Sequence, residues 1–313
     1  MALNAPNYIE KVKSSDLREC HYFLRYLQPS LSLNHAFPNN KESCLVLINE
    51  LIWNHFQSFG KESAKSVLLE MRASKEYYLL PLDKFEWLSV DNDRLIFVIW
   101  FYLRMSTEPE RNYIPSRYKT PLLIFNLQSD IEDIDRIYNQ ISLYPSPTST
   151  KERHTAIIDF MDKLRSPVAL KLKFMDYLKN FCHEKLIEDK KFNWLSFKNQ
   201  EQASWAWNYL SSAGLPHNIL KPLSATEQIN SCIVTLDMWE EHPAVKELFL
   251  NKFKKAWSQK KHRDGLVGQK AYNITMSNDI QGMLETLSSH YDDKINKTLE
   301  KIIRQEYSKI KHN

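Results

Sequence analysis

Hydrophobic residues recur at three- and four-residue spacing along most of this chain, which predicts a mostly α-helical protein. Near the N-terminus the pattern predicts helices over residues 20–27 and 44–59, with a loop between them. After a break rich in proline and serine at 144–150, it predicts two more helices over 151–164 and 167–185. Ser15 and Asp16 offer a cap ahead of the helix over residues 20–27.

Two apolar segments are harder to assign. Residues 95–103 are almost entirely apolar, so periodicity alone does not separate a buried strand from a buried helix, and the helical neighbourhood favours a helix. Residues 122–127 are apolar but of unclear type. A further helix is predicted to begin near Ser129, where a capping residue precedes acidic residues.

The pattern changes to period two in residues 270–276, which indicates a β-strand with two faces. The apolar face carries Tyr272, Ile274 and Met276, and the other carries Ala271, Asn273 and Thr275. A single strand leaves its backbone groups unpaired. A second copy of the chain is the simplest partner, and it would give a two-stranded antiparallel ribbon of the kind that enters the major groove of DNA.

Two amphipathic helices are predicted after this strand, over residues 277–289 and 295–311. Their apolar stripes would cover the inward face of the ribbon. The predicted dimer core is Tyr272, Ile274, Met276, Ile280, Leu284, Leu299 and Ile303. Because this core is too small for one chain, we expect folding of the segment to be coupled to homodimer formation.

Charge is distributed unevenly along the chain. The whole sequence has a net charge of +4, whereas residues 241–313 hold fourteen Lys and Arg against nine acidic residues, a net +5. A basic end on a neutral body indicates binding to a polyanion. A solvated lysine-rich tail explains the same charge equally well.

Aromatic residues are concentrated between Phe192 and Tyr209, with Trp194, Trp205 and Trp207 among them. Such density is typical of a core or an interface. A base-stacking platform would need exposed rings in a basic groove, and the local charge is not basic. The core interpretation is therefore favoured.

A helix is predicted over residues 243–261. Its lysines, Lys246 among them, would face outward, and its inward residues would be Val245, Leu248, Phe249, Phe253, Ala256 and Trp257.

Several classes of function are disfavoured by composition and motifs. Five glycines and no glycine-rich phosphate loop argue against nucleotide-binding βαβ units. The four cysteines are scattered and no signal peptide or membrane-spanning run is present, which is typical of a reduced cytoplasmic protein without a metal site. His154, Asp159, Asp176 and His183 occur singly, so no catalytic set is recognised. We expect no enzyme and no cofactor.

The order of features resembles the MatP family, the bacterial organisers of the chromosome terminus region. Residues 205–210 read Trp-Ala-Trp-Asn-Tyr-Leu, a basic helix ends at 260–263 as Lys-Lys-His-Arg, and a short connector containing Gly265 and Gly268 leads to the strand and the two helices. The resemblance covers roughly residues 199–313. It implies a ribbon-helix-helix DNA-binding domain. The long N-terminal region lies outside it, so the cognate DNA site is not carried over.

Contacts to DNA are assigned by side-chain chemistry. Asn273 can bind adenine bidentately, Thr275 can offer a hydroxyl or a methyl group, and Ala271 can touch a thymine methyl. The start of the last helix offers backbone N–H groups to a phosphate. The predicted contacts to the DNA backbone are Lys252, Lys254, Lys255, Lys260, Lys261, Arg263, Lys270, Lys294, Asn296 and Lys297.

The sequence thus predicts three domains: a helical domain of unknown role (1–190), an aromatic-rich helical bundle with a basic helix (191–263) and a ribbon-helix-helix with one intermolecular β-strand (264–313). The predicted function is a homodimeric, sequence-specific double-stranded DNA-binding protein of the bacterial nucleoid that organises DNA or regulates transcription at a palindromic site. The N-terminal domain would recruit a protein partner or extend the contact with DNA. The alternative is a protein-interaction scaffold in which the C-terminal module only dimerises.

Overall fold

The structure, a computed structural model, describes residues 10–28, 37–105, 146–164, 166–216, 219–265 and 272–311. Within these ranges the chain forms eleven α-helices and no β-strand, so the prediction of a mostly helical protein is confirmed. The predicted segment 122–127 and the helix expected from Ser129 lie outside the described residues.

The helices are α1 (Leu17–Leu27), α2 (Lys41–Phe59), α3 (Lys61–Tyr78), α4 (Asp93–Met105), α5 (Thr150–Lys163), α6 (Val168–Lys185), α7 (Gln200–Ser212), α8 (Ala225–Met238), α9 (Pro243–Asp264), α10 (Ile280–Tyr291) and α11 (Ile295–Lys311). They fall into two compact units, Met1–Ser258 and Gln259–Asn313.

Helices α1, α2 and α3 pack together around a first hydrophobic cluster at the N-terminal end of the larger unit. The side chain of Asp16 accepts a hydrogen bond from the backbone N–H of Arg18, and that of Asn40 accepts one from Ser43. Each thereby satisfies a backbone donor that its helix leaves free. The predicted cap at the start of α1 is confirmed.

Helix α4 lies at the centre of the second cluster, packed against α5, α6 and α8. Every residue from Ile96 to Leu103 is buried, so α4 has no polar face in this stretch. This explains why periodicity did not separate helix from strand in the sequence, and it confirms the helix.

The aromatic residues between Phe192 and Tyr209 form the third cluster together with α8 and α9. The ring of Trp205 stacks on that of Phe253, with centroids 5.4 Å apart and planes 10° from parallel, and Trp194 meets the same Phe253 edge-on at 4.9 Å. The core interpretation of these aromatic residues is therefore confirmed.

The inward face of α9 was predicted only in part. Phe253 is buried and Phe249, Ala256 and Trp257 are half-buried, but Val245 and Leu248 are 44% and 54% exposed, so the prediction is wrong for these two. Lys246, expected to face outward, instead donates a hydrogen bond to the carbonyl of Asp237 at 3.3 Å. Its position in the contact with α8 lowers its pKa, because burial disfavours the charged form.

Ion pairs buried in the larger unit join helices that are distant in sequence. Asp162 accepts two hydrogen bonds from the guanidinium of Arg18, and Asp237, which is completely buried, accepts two from Arg94. Burial opposes the charge on Arg94, but hydrogen bonding and the charges of Asp237 and Asp189 outweigh it and raise the pKa of Arg94. Burial raises the pKa of Asp237, and the hydrogen bonds and charge of Arg94 oppose that rise.

Lys171 on α6 is fully buried and donates a hydrogen bond to the carbonyl of Tyr78 at 2.6 Å. Burial lowers its pKa to about 7. All four cysteines are buried and free, as predicted. In the described part of the chain, no helix is long and apolar enough to cross a membrane.

Candidate nucleic-acid interface

Helix α9 carries exposed cations beside its buried aromatic face. Lys252, Lys254 and Lys255 flank the buried Phe253, and all three are exposed. None of the three forms an ion pair with a described residue. Lys252 and Lys255, three residues apart, lie on one side of the helix, where they can contact the same polyanion.

The last turns of α9 add a second group of cations in the smaller unit. Lys261 and Arg263 are exposed and make no ion pair with a described residue, whereas Lys260 pairs with Asp264 one turn later. The helix ends where Gly265 donates a hydrogen bond to the carbonyl of Lys261. Lys260 is thus the weakest of the predicted phosphate contacts on α9, because Asp264 already neutralises it.

The predicted base-reading strand is described only in part. Lys270 and Ala271 lie outside the described residues, and residues 272–277 have neither helical nor strand structure. Asn273 and Thr275 are exposed, as is the predicted inward set, with Tyr272 at 75% and Ile274 at 57%. A strand is defined by its pairing, and the single chain contains no partner strand among its described residues.

Helices α10 and α11 pack against each other in the smaller unit through a tight turn. Asp292 adopts a left-handed backbone conformation with φ at 50°, the backbone N–H of Asp293 donates to the carbonyl of Ser288, and the Ser288 hydroxyl donates to the carbonyl of Asp293. The ammonium of Lys301 lies 4.4 Å from the centre of the Tyr291 ring. These contacts fix the start of α11.

Lys294, Asn296 and Lys297 are exposed at the start of α11, where the first backbone N–H groups have no partner within the helix. This arrangement is suited to a phosphate oxygen. Asp292 and Asp293 directly precede the helix, however, and their carboxylates oppose an incoming anion. A phosphate contact at the start of α11 is therefore less favourable than one at the exposed lysines of α9.

Apolar side chains of the smaller unit are left uncovered in the single chain. Thr298 is the one described residue of α10 and α11 that is buried. Of the predicted dimer core, Met276 and Ile303 are 39% and 55% exposed, while Ile280, Leu284 and Leu299 are half-buried. Tyr307 and Ile310 extend the same stripe of α11 and are 64% and 74% exposed. The helical period of the sequence contains the signal for Ile310, which the prediction omitted.

Of the isolated polar residues in the larger unit, Asp159, Asp176 and His183 are exposed and His154 is half-buried. Burial lowers the pKa of His154. The described residues contain no group of three or more His, Cys, Asp and Glu side chains that could hold a metal ion.

Comparison of the chain with protein-family models, with curated proteins and with solved structures gives no match.

Proposed function

We propose that this protein is a homodimeric, sequence-specific double-stranded DNA-binding protein. In this proposal residues 270–276 of two copies pair as an antiparallel ribbon in the major groove, and α10 and α11 of both copies cover its inner face. The protein would organise DNA or regulate transcription in the bacterial nucleoid.

The observation that carries the proposal is the uncovered apolar stripe of the smaller unit. An amphipathic helix is stable when its apolar side is covered, yet Ile303, Tyr307 and Ile310 of α11 are more than half exposed. The apolar side chains of residues 272–276 are exposed as well. A second copy brings an identical stripe and an identical strand, so one symmetric interface would cover both kinds of surface.

The exposed cations favour DNA as the ligand of such a dimer. Lys252, Lys254, Lys255, Lys261 and Arg263 have no ion-pair partner among the described residues, so no ion pair has to be broken when they contact phosphate. Each phosphate neutralised by a lysine or arginine releases counterions from DNA. These residues would give affinity without sequence preference.

Sequence preference would come from Asn273 and Thr275, which are exposed and would lie on the face of the proposed strand opposite Tyr272 and Ile274. A carboxamide pairs with adenine through two hydrogen bonds. Ala271 would add at most an apolar contact with thymine, and Lys270 a charged one. With so few direct base contacts, part of the preference would come from the shape of the DNA.

A scaffold that only dimerises through the smaller unit is the second candidate. The carboxylates of Asp292 and Asp293 beside the predicted phosphate site at α11 favour it. Both candidates need the same dimer, and they differ in whether that dimer binds a duplex.

Selection from random duplexes by the purified full-length protein tests the proposal. We expect one enriched motif with two-fold symmetry. Replacing Asn273 and Thr275 together with alanine should weaken binding to that motif roughly tenfold to a hundredfold, because a bidentate base contact is worth about 1–3 kcal/mol. Binding to random duplexes should change little.

The matched variant replaces Lys252 and Lys255 with alanine. It should weaken binding to selected and random duplexes alike, and it should make the dependence of the association constant on salt less steep by about two charges. No enriched motif, together with no effect of the Asn273→Ala/Thr275→Ala variant, would contradict the proposal. A dimer that binds no duplex at low salt would support the scaffold instead.

A further inference from the structure

The larger unit contains an open groove of about 1070 Å³ that is separate from the predicted DNA contacts. It is bordered by the segment before α4, by the segment after α6 and by one side of α8. Its volume is slightly above the range for small-molecule pockets, about 300–1,000 Å³, and is sufficient for several residues of a peptide.

The rim of the groove is acidic. Asp91, Asp93, Glu188 and Asp189 line it and are all exposed. Glu188 pairs with Lys190 and Asp189 with Arg94, but Asp91 and Asp93 have no cationic partner among the described residues. The potential of the groove is therefore negative, which excludes nucleic acid and favours a cationic ligand.

Arg94 is the one cation among the residues that line the groove, and it does not make the potential of the groove positive. Arg94 is held by two hydrogen bonds to the buried Asp237 and by a third to the carbonyl of Ile187 at 2.7 Å. Its charge is thereby balanced within the protein, and its guanidinium lies in contact distance of the Phe192 ring, 5.1 Å from the centroid. It forms part of the wall of the groove.

The side chain of Asn230 is an independent sign of a ligand. Asn230 is 5% exposed and lines the groove on the same side of α8 as Thr226 and Ile233. Its carboxamide makes no hydrogen bond with any described residue, and its polar atoms are not among the enclosed unpaired ones, so the carboxamide faces the groove. Asp93 lies in the first turn of α4, where an acidic residue stabilises the helix, so its presence needs no ligand. The carboxamide of Asn230 has no such structural explanation.

Apolar side chains complete the floor. Phe192, Leu195 and Ile233 line the groove beneath the acidic rim, and Phe197, which is 43% exposed, stands at its edge. A free polyamine would meet the carboxylates but could cover the apolar floor only with its thin methylene linkers. A peptide that presents basic side chains beside an apolar one would contact both.

We propose that this groove binds a basic peptide segment of a protein partner. One arginine or lysine of the segment would lie between Asp91 and Asp93, a second would donate a hydrogen bond to the carboxamide oxygen of Asn230, and an apolar side chain between them would pack on Phe192 and Ile233. The proposed DNA contacts and this groove are formed by different residues, so the two proposals stand or fall separately.

Fluorescence anisotropy of a labelled short peptide in which two arginines flank one leucine tests the assignment on the full-length protein. We expect saturable binding that weakens with salt, and no binding of the same peptide with glutamates in place of the arginines. The Asp91→Asn/Asp93→Asn variant should weaken binding about tenfold or more. The Asp176→Asn/Glu184→Gln variant removes two charges from the exposed side of α6 and should leave binding unchanged.

The Asn230→Leu variant separates a ligand site from a structural role. It should weaken peptide binding about tenfold without lowering the midpoint of thermal unfolding, because the carboxamide makes no hydrogen bond with a described residue that the substitution would break. Equal binding of the arginine and glutamate peptides, or an equal loss in the α6 control variant, would overturn the proposal. Binding of spermidine without binding of the peptide would overturn the peptide as the ligand.

Discussion

The Ile303→Glu variant should be a monomer at concentrations at which we expect the parent protein to form the proposed dimer. Ile303 belongs to the smaller unit and is 55% exposed in the single chain, so the substitution removes little packing within one copy. In the proposed dimer each interface contains the residue twice, because a symmetric pair uses the same surface on both copies. Two unpaired carboxylates would then be buried, at a cost of several kcal/mol.

The expected weakening of the dimer is about a thousandfold or more. Multi-angle light scattering after size exclusion measures the mass directly, and binding to the selected duplex should be lost together with the dimer. The control is Gln305→Glu, which adds the same charge on the other side of α11. It should leave the mass unchanged. A dimeric Ile303→Glu protein would show that α11 does not form the interface.

The second large effect is expected on stability, at Asp237. This residue is completely buried, and it accepts hydrogen bonds from the Arg94 side chain and from the backbone N–H of Ile187 at 2.9 Å. The Asp237→Leu substitution leaves the Arg94 charge without its buried partner. We expect a loss of about 3–5 kcal/mol in the free energy of unfolding, measured by urea denaturation.

Two further variants separate this effect from a simple loss of packing. The Arg94→Met/Asp237→Leu variant removes both charges and should recover most of the stability, because replacing a buried pair by apolar groups is often neutral. The Asp176→Ala variant removes an exposed carboxylate that lies 3.6 Å from Lys179 and should change stability by less than about 1 kcal/mol. A single variant at Asp237 as stable as the parent would contradict the account of this pair.

The helical elements could be predicted from the sequence because their signals are local. The last helix was predicted over the residues that α11 occupies, because its apolar residues recur with a clear helical period. Helix α4 was harder, since it is buried on all sides and its sequence has no polar side to define a period. Val245 and Leu248 follow the same spacing as Phe249, but the third cluster includes Phe249, Leu250 and Phe253 and leaves these two side chains exposed.

The charged interior could not be predicted, because it depends on contacts between distant parts of the chain. Arg94 and Asp237 are separated by 143 residues, and Arg18 and Asp162 by 144. Lys171 is a charged residue, which suits a surface position, yet the carbonyl of Tyr78 accepts its hydrogen bond in the interior. Asn230 is likewise an ordinary helix residue until α4 and α6 place the groove beside it.

For the proposed DNA interface, the sequence predicts which residues contact DNA. The structure of one copy does not test how residues 270–276 of two copies pair. Asn273, Thr275 and the lysines of α9 are exposed, but exposure alone does not distinguish a DNA contact from a solvated residue. In the proposal, residues 270–276 pair with the same residues of a second copy, so the strand forms only in the dimer.

Disulfide formation by single cysteines placed at each of residues 272–276 tests the intermolecular ribbon most directly. The four natural cysteines are buried, so the parent protein provides the background under mild oxidation. Directly opposed residues of antiparallel strands have Cα atoms about 4.5–5.5 Å apart, within the range that a disulfide bridges. In a symmetric ribbon only the residue on the symmetry axis faces its own copy. For every other residue, the distance between its two copies grows with its distance from the axis. The account predicts one sharp maximum of crosslinked dimer, centred on Asn273→Cys. No crosslinked dimer at any of these positions, or equal amounts at all of them, would contradict it.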